Sequence, residues 1–184
     1  GSTSMGDIDG DGKLDVVVLR NGINLAKTGL WVWNPRNGKI IAHAFTEGTG
    51  GGVPFIGDID GDCLPEIGIS YVNKLVFYKY DGTKNLRKAF TKVTTDISGV
   101  IGMTMFDLNQ DGRQEVIFRD EIQLFILDGP TGNTIFSYPV LSITGTEHPI
   151  VVDVDHDGAA EILVEGGSTT NDTTYVFCFE SANL

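Results

Sequence analysis

Short apolar segments recur along this chain, and each is broken by the same kind of acidic turn. The turns read GDIDGDGKLDVVV at 6–18, GDIDGDCLPEIGI at 57–69, FDLNQDGRQEVIF at 106–118 and VDVDHDGAAEILV at 152–164. Their leading aspartates, Asp7, Asp58, Asp107 and Asp153, are 51, 49 and 46 residues apart. An apolar lead-in precedes the last three turns (Val53 to Ile56, Ile101 to Phe106, Pro149 to Val152) and a β-branched run follows each, so every turn joins two predicted strands. Aromatic-rich third strands are predicted at Leu30 to Trp33, Leu75 to Tyr80, Leu124 to Leu127 and Tyr175 to Phe179. Hairpin chemistry follows three of them, at Asn34 to Gly38, Asp81 to Thr83 and Asp128 to Gly132, which leads to fourth strands at Ile40 to Phe45, Leu86 to Val93 and Thr134 to Val140.

No segment carries a capped 3.6-residue apolar period, so the chain reads as all-β. The repeat length is long for one coil of a β-solenoid and short for a sandwich of about 100 residues, but it suits a four-stranded β-propeller blade. The expected organisation is a single propeller region over 1–184, with repeats at approximately 1–50, 51–98, 99–146 and 147–184. The first unit starts almost at its acidic turn and the fourth ends before a fourth strand. Four blades of a larger ring is therefore the expected architecture.

Counting from the first acid, positions 1, 3 and 5 are Asp7, Asp9, Asp11; Asp58, Asp60, Asp62; Asp107, Asn109, Asp111; and Asp153, Asp155, Asp157. Position 9 is Asp15, Glu66, Glu115 or Glu161. Oxygen donors two residues apart on a sharp turn converge on one point, and hard oxygens in that number select Ca2+ over transition metals, up to four ions in all. Position 7 is Lys13, Leu64, Arg113 or Ala159, an indifference expected where the backbone carbonyl is the ligand. An EF-hand would need a glutamate at position 12, but Val18, Ile69, Phe118 and Val164 stand there, inside predicted strands. Gly12, Gly112 and Gly158 fill position 6, where a left-handed backbone is needed; Cys63 breaks the rule and is expected to strain the second loop, with Pro65 stiffening it. Asn109 removes one charge from the third loop, which leaves the first and fourth as the most regular.

These loops resemble the FG-GAP repeats of integrin α-subunit propellers and the related VCBS-type repeats of bacterial surface proteins, across nearly the whole chain. The resemblance implies a seven-bladed ring whose loops connect the first two strands of each blade and bind calcium through the positions named above. The Phe-Gly and Gly-Ala-Pro signature has only Pro54-Phe55-Ile56-Gly57 as its nearest match, so the bacterial surface proteins are the closer expectation.

Net charge is −12, and fifteen of the 25 acidic side chains lie in the four loops, so the acidity is local and metal-facing. It argues against nucleic acid as a partner, and no apolar run approaches the roughly 18 to 20 residues that cross a bilayer. Extracellular calcium modules bind in the range of about 0.1 to 1 mM, which points to a secreted or cell-surface location. Cys63 and Cys178 are too few for a disulfide scaffold and are expected to be packed thiols. His43, His148 and His156 sit in no nucleophile motif, and no HExxH or GxSxG sequence occurs. Trp31, Trp33, Phe77 and Tyr78 could form a sugar platform but are expected to pack the core. Gly48 to Gly52 and Gly166 to Asn171 are surface loops by composition, and Asn171-Asp172-Thr173 is an N-glycosylation sequon in form only. The expected function is a calcium-stabilised binding or adhesion module that holds a protein or glycan at its loop tips, rather than an enzyme. The alternatives are a fragment of a propeller-type carbohydrate-active enzyme such as a polysaccharide lyase, and a structural spacer.

Overall fold

The runs that leave each acidic turn become strands because one face of each can be buried against a second sheet. The computed structural model describes residues 2–20, 29–45, 50–141, 148–167 and 173–181. They contain β1 (Ser2–Gly6), β2 (Asp15–Arg20), β3 (Gly29–Asn34), β4 (Lys39–Phe45), β5 (Phe55–Gly57), β6 (Glu66–Tyr71), β7 (Lys74–Tyr80) and β8 (Leu86–Val93). Then follow β9 (Met103–Phe106), β10 (Glu115–Arg119), β11 (Gln123–Leu127), β12 (Thr134–Pro139), β13 (Ile150–Val152), β14 (Glu161–Gly167) and β15 (Thr174–Glu180). Within each sheet every strand pairs antiparallel with its sequence neighbour, which yields sheets β1–β4, β5–β8, β9–β12 and β13–β15.

Register repeats as closely as sequence does. Gly6 pairs with Asp15, Gly57 with Glu66, Phe106 with Glu115 and Val152 with Glu161, so each acidic turn is closed by the residue before position 1 and the acid at position 9. The third and fourth strands slip register at Val32/Trp33, Phe77/Tyr78 and Ile126/Leu127, a bulge at the same place in three sheets.

The chain divides into two compact units, residues 1–100 and 101–184. In the first, Val17, Leu19, Leu30 and Val32 of one sheet share a buried cluster with Ile67, Ile69, Tyr71 and Val76 of the next. In the second, Ile117, Leu124 and Ile126 cluster with Val140, Ile162 and Val164. Each such side chain stabilises the fold by about 1.5 to 3 kcal/mol when fully buried. One polar contact recurs in both units: the Ser4 hydroxyl of β1 donates to the Pro54 carbonyl, and the Thr104 hydroxyl of β9 donates to the Pro149 carbonyl at 2.6 Å. Successive sheets within each unit are therefore joined in the same way.

The first acidic turn joins two strands like the others: Ser2–Gly6, which has no apolar lead-in pattern, pairs in full with β2 and lies on the sheet edge, where alternation needs no apolar partner on the outer side. One expectation needs correcting: Cys63 and Cys178 are free thiols and both are exposed rather than packed. Phe77 and Tyr78 are core residues, whereas Trp31 and Trp33 are half-buried on the face opposite Leu30 and Val32. The sequon, the start of Gly48 to Gly52 and most of Gly166 to Asn171 lie outside the described residues.

Candidate metal centres

The four loops are built by the same hydrogen bonds. The position-1 carboxylate accepts the position-6 N–H in each: Gly12 to Asp7 at 2.8 Å, Cys63 to Asp58 at 2.9 Å, Gly112 to Asp107 at 2.9 Å and Gly158 to Asp153 at 3.1 Å. One oxygen of the position-9 acid accepts the position-2 N–H, from Ile8 to Asp15 (3.2 Å), Ile59 to Glu66 (3.1 Å), Leu108 to Glu115 (2.8 Å) and Val154 to Glu161 (2.7 Å). Position-7 N–H groups donate to the position-5 carboxylate in three loops, at Leu64, Arg113 and Ala159. The position-9 acids thus fold the turn with one oxygen and leave the other free of backbone N–H donors in the first and fourth loops, whereas Asp58, Asp107 and Asp153 at position 1 use both oxygens on backbone N–H groups.

Left-handed backbone occurs at position 6 in every loop, including Cys63 at φ 69°. It also occurs at position 4, in Gly10, Gly61, Gln110 and His156. His156 is therefore a backbone element of the turn with its side chain in solvent, and Gln110 is its counterpart in the third loop.

What each loop gathers differs. In the first, oxygens of Asp7, Asp9 and Asp15 lie within 4.8 Å of one another, whereas Asp11 turns to the Arg36 guanidinium at 3.0 Å. In the fourth, Asp153, Asp155 and Glu161 form one such group, and Asp157, Glu161 and Glu180 form a second that shares Glu161. Asp15 and Glu161 are almost wholly buried, and Asp15 Oδ1 and Glu161 Oε1 have no hydrogen-bond partner, as does Asp7 Oδ1. Buried, unsatisfied carboxylate oxygens cost several kcal/mol unless a cation or donor meets them. Oxygen-only groups of this kind fit a hard divalent cation.

The second loop groups Asp58, Asp60 and Asp62, but the ammonium of Lys79 stands among them. It contacts Asp60, Asp62 at 2.8 Å and Glu66 at 3.0 Å. In the third loop no three carboxylates converge among the described residues, and the Asn109 amide donates to Glu115 Oε1 at 3.4 Å.

The electrostatics follow. Burial raises the Asp15 carboxyl above the ordinary range, and the Asp9 charge adds to it. Burial likewise raises Glu115, helped by Asp111 and Asp107. Glu66 is raised by burial against the opposing pull of Lys79, while the Lys79 hydrogen bond lowers Asp62. For Lys79 itself, burial opposes the charge, but ion pairs with Asp60, Asp62 and Glu66 outweigh it and hold the ammonium above the ordinary lysine range. Glu180 is raised by desolvation and then by the charges of Asp157, Glu161, Asp155 and Asp153.

With this geometry in view, the FG-GAP-like repeat family matches the sequence twice, at residues 7–69 and 58–118. The chain belongs to the FG-GAP-like repeat family. A search of curated proteins finds no significant match. Among solved structures, this FG-GAP-like array is similar to the biofilm matrix protein Bap1 of V. cholerae, with TM-score 0.67, 14% identity, and coverage of 98% of this chain and 56% of that one. It is also similar to an Agrocybe aegerita lectin that recognises non-reducing terminal N-acetylglucosamine, with TM-score 0.56, 16% identity, and coverage of 97% and 51%. The array spans about half the length of each, and at these identities the likeness is one of fold.

Sequence reasoning missed Lys79 and Glu180, which reach the loops from the end of the third strand rather than from the turn. A signal existed: each is a charged residue at or next to the end of an aromatic strand, and position 9 lies across from that end, as Glu161 does from Glu180. A cleft of about 510 Å³ was also missed. It lies between the third and fourth loops and is lined by Phe106, Leu108, Gln110, Asp153, Gly158 and Ala159, among others. At the matching place in the first unit, Leu64 lies over Gly10, where an added Cβ would be 2.7 Å from Leu64 Cδ2. Ala159 at position 7 is too short to close the space.

Proposed function

We propose that this chain is a run of β-propeller blades whose acidic loops hold calcium, and that it works outside the cell as a binding module for a glycan or protein. The observation that carries the calcium reading is the set of buried oxygens without a hydrogen-bond partner on Asp7, Asp15 and Glu161, in loops whose other position-1 and position-9 oxygens accept backbone N–H groups; Asp60 and Glu66 of the second loop and Glu180 beside the fourth carry oxygens of the same kind. Asp7, Asp9 and Asp15 would hold the ion in the first loop, with Asp11 and the Lys13 carbonyl joining once Arg36 gives way. Asp153, Asp155, Asp157, Glu161 and the Ala159 carbonyl would hold it in the fourth. The third loop offers Asp107, Asn109, Asp111, Glu115 and the Arg113 carbonyl, with Asn109 supplying its amide oxygen. The second offers Asp58, Asp60, Asp62, Glu66 and the Leu64 carbonyl. Calcium there would supply charge neutralisation and rigidity, not chemistry.

The propeller reading is supported by the repeated hydroxyl-to-proline carbonyl join between successive sheets and by the four-stranded antiparallel sheets that recur with the FG-GAP-like repeats. Further blades would come from elsewhere in a longer protein. The binding reading is supported by a matrix protein and a lectin sharing the fold, and by the cleft between the third and fourth loops, whose volume suits a small ligand. Phe106 offers it an apolar face and Gln110 a polar group, a pairing suited to a sugar. A glycan array probed with labelled chain in calcium, and again in chelator, tests the reading. Calcium-dependent capture on a defined glycan set supports it; cleavage of the polysaccharide instead would turn it to the lyase alternative.

A further inference from the structure

The residue that follows the paired end of each third strand occupies one structural place in all four repeats. Val16 pairs with Trp33, Ile67 with Tyr78, Val116 with Leu127 and Ile162 with Phe179, so the next residues, Asn34, Lys79, Asp128 and Glu180, are equivalent. Asn34 and Asp128 fold back into their own hairpins: Asn34 Oδ1 accepts the Arg36 N–H at 3.0 Å, and Asp128 Oδ2 accepts the Thr131 N–H at 3.1 Å. Lys79 and Glu180 turn instead toward the acidic loop, with opposite charge.

We infer that this single position sets each repeat's demand for calcium: Lys79 gives the second loop an internal cation that replaces the ion, and Glu180 gives the fourth loop an added carboxylate that strengthens its hold on one. The inference rests on the calcium reading above.

The Lys79 ammonium lies against three carboxylates, Asp60, Asp62 and Glu66, and donates a hydrogen bond to Asp60, so its charge is answered from three sides even though Glu66 Oε1 gains no hydrogen bond from it. Both oxygens of the remaining acid, Asp58, accept backbone N–H groups, from Gly61 at 2.7 Å and Cys63 at 2.9 Å. Lys79 is 8% exposed and Glu66 wholly buried, so their pair is shielded from water and salt, while Asp60 and Asp62 reach the ammonium from the solvent side. An entering calcium ion would have to expel a buried ammonium and break three ion pairs at once. Folding this loop therefore needs no ion. The fourth loop is the reverse case. Glu180 pairs directly across from Glu161, whose Oε1 is buried without a donor, and oxygens of Glu161, Glu180 and Asp157 lie within 4.8 Å of one another. Five carboxylates face one loop and no cation of the chain answers them among the described residues.

Hydrogen exchange read by mass spectrometry on the whole chain, in excess calcium and in chelator, with native mass spectrometry to count ions, separates the possibilities. In the unaltered protein, segment 58–66 should be equally protected in both buffers, while 7–15 and 153–161 lose protection at least tenfold in chelator. Lys79→Gln should make 58–66 calcium-dependent and add one bound ion. Glu180→Lys, should Lys79→Gln fold poorly, gives the converse: 153–161 becomes indifferent to chelator and one ion is lost. If 58–66 gains protection in calcium like the other segments and an ion fills every loop, the inference is wrong and the calcium reading stands. If no segment responds and no ion binds, both fall.

Discussion

Replacing Cys63 by glycine tests whether the turn geometry dictates its residues. Cys63 has φ 69° and an exposed side chain, and its N–H bond to Asp58 is made by the backbone, so Cys63→Gly removes no contact. A residue with Cβ loses about 1 to 2 kcal/mol in left-handed conformation. Glycine recovers that but adds freedom to the unfolded chain, a counter-effect of about 0.5 to 1 kcal/mol. The net expected gain is about 0.5 to 1 kcal/mol, or roughly 1 to 4 °C in melting temperature for a chain of this size. Thermal melts by circular dichroism read it directly, with Gly12→Ala as the opposite-sign control at the same position, where an added methyl meets no neighbour and only φ 79° opposes it. If Cys63→Gly leaves the melt unchanged or lowers it while Gly12→Ala costs nothing, backbone strain does not shape these loops.

Further expectations concern charge, core and cleft. Asp15→Asn keeps the acceptor for Ile8 but removes a buried charge, so it should lower the melting temperature in calcium and leave it equal or higher in chelator; a fall in both would mean the charge is structural without an ion. In metal-free buffer, the raised Asp15 and Glu115 carboxyls bind protons more readily folded than unfolded, so stability should increase as pH falls from neutral toward the ordinary carboxylate range; urea midpoints that decrease over that interval would contradict this. Ile69→Ala, at a fully buried position, should cost about 2 to 5 kcal/mol in urea denaturation. Ala159→Leu should fill the cleft as Leu64 does in the first unit, abolishing glycan capture with little change in melting temperature; unchanged capture would place the ligand elsewhere.

Much of the fold was legible because a strand's period and an acidic turn are local features. Leu86 to Val93 came out as a strand with those limits, and each loop joined two strands as its flanks required. The β1 strand was not legible because Ser2 to Gly6 carries no apolar alternation; its pairing with β2, not its own preference, makes it a strand. Position 4 was hidden by Gln110 and His156, which take left-handed backbone that Gly10 and Gly61 would have signalled had the four loops been compared there as they were at position 6. Lys79 and Glu180 lay beyond reach of any reading confined to the turn, since antiparallel pairing is what brings them to position 9. Ligand regularity ranks the first and fourth loops highest, but Lys79, which reaches the second loop from the neighbouring strand, and the Asn109 amide, which donates to Glu115, distinguish the loops as much as the count of acids does.

A calcium titration of the melting temperature tests the central claim most directly. One site with a dissociation constant of about 0.1 mM contributes about 2.7 kcal/mol at a hundredfold excess of free calcium, and several such sites add. The account predicts a rise above about 10 °C between chelator and about 10 mM calcium, with little response to magnesium, whose small octahedral shell suits these loops poorly. A melt that does not move with calcium would contradict it.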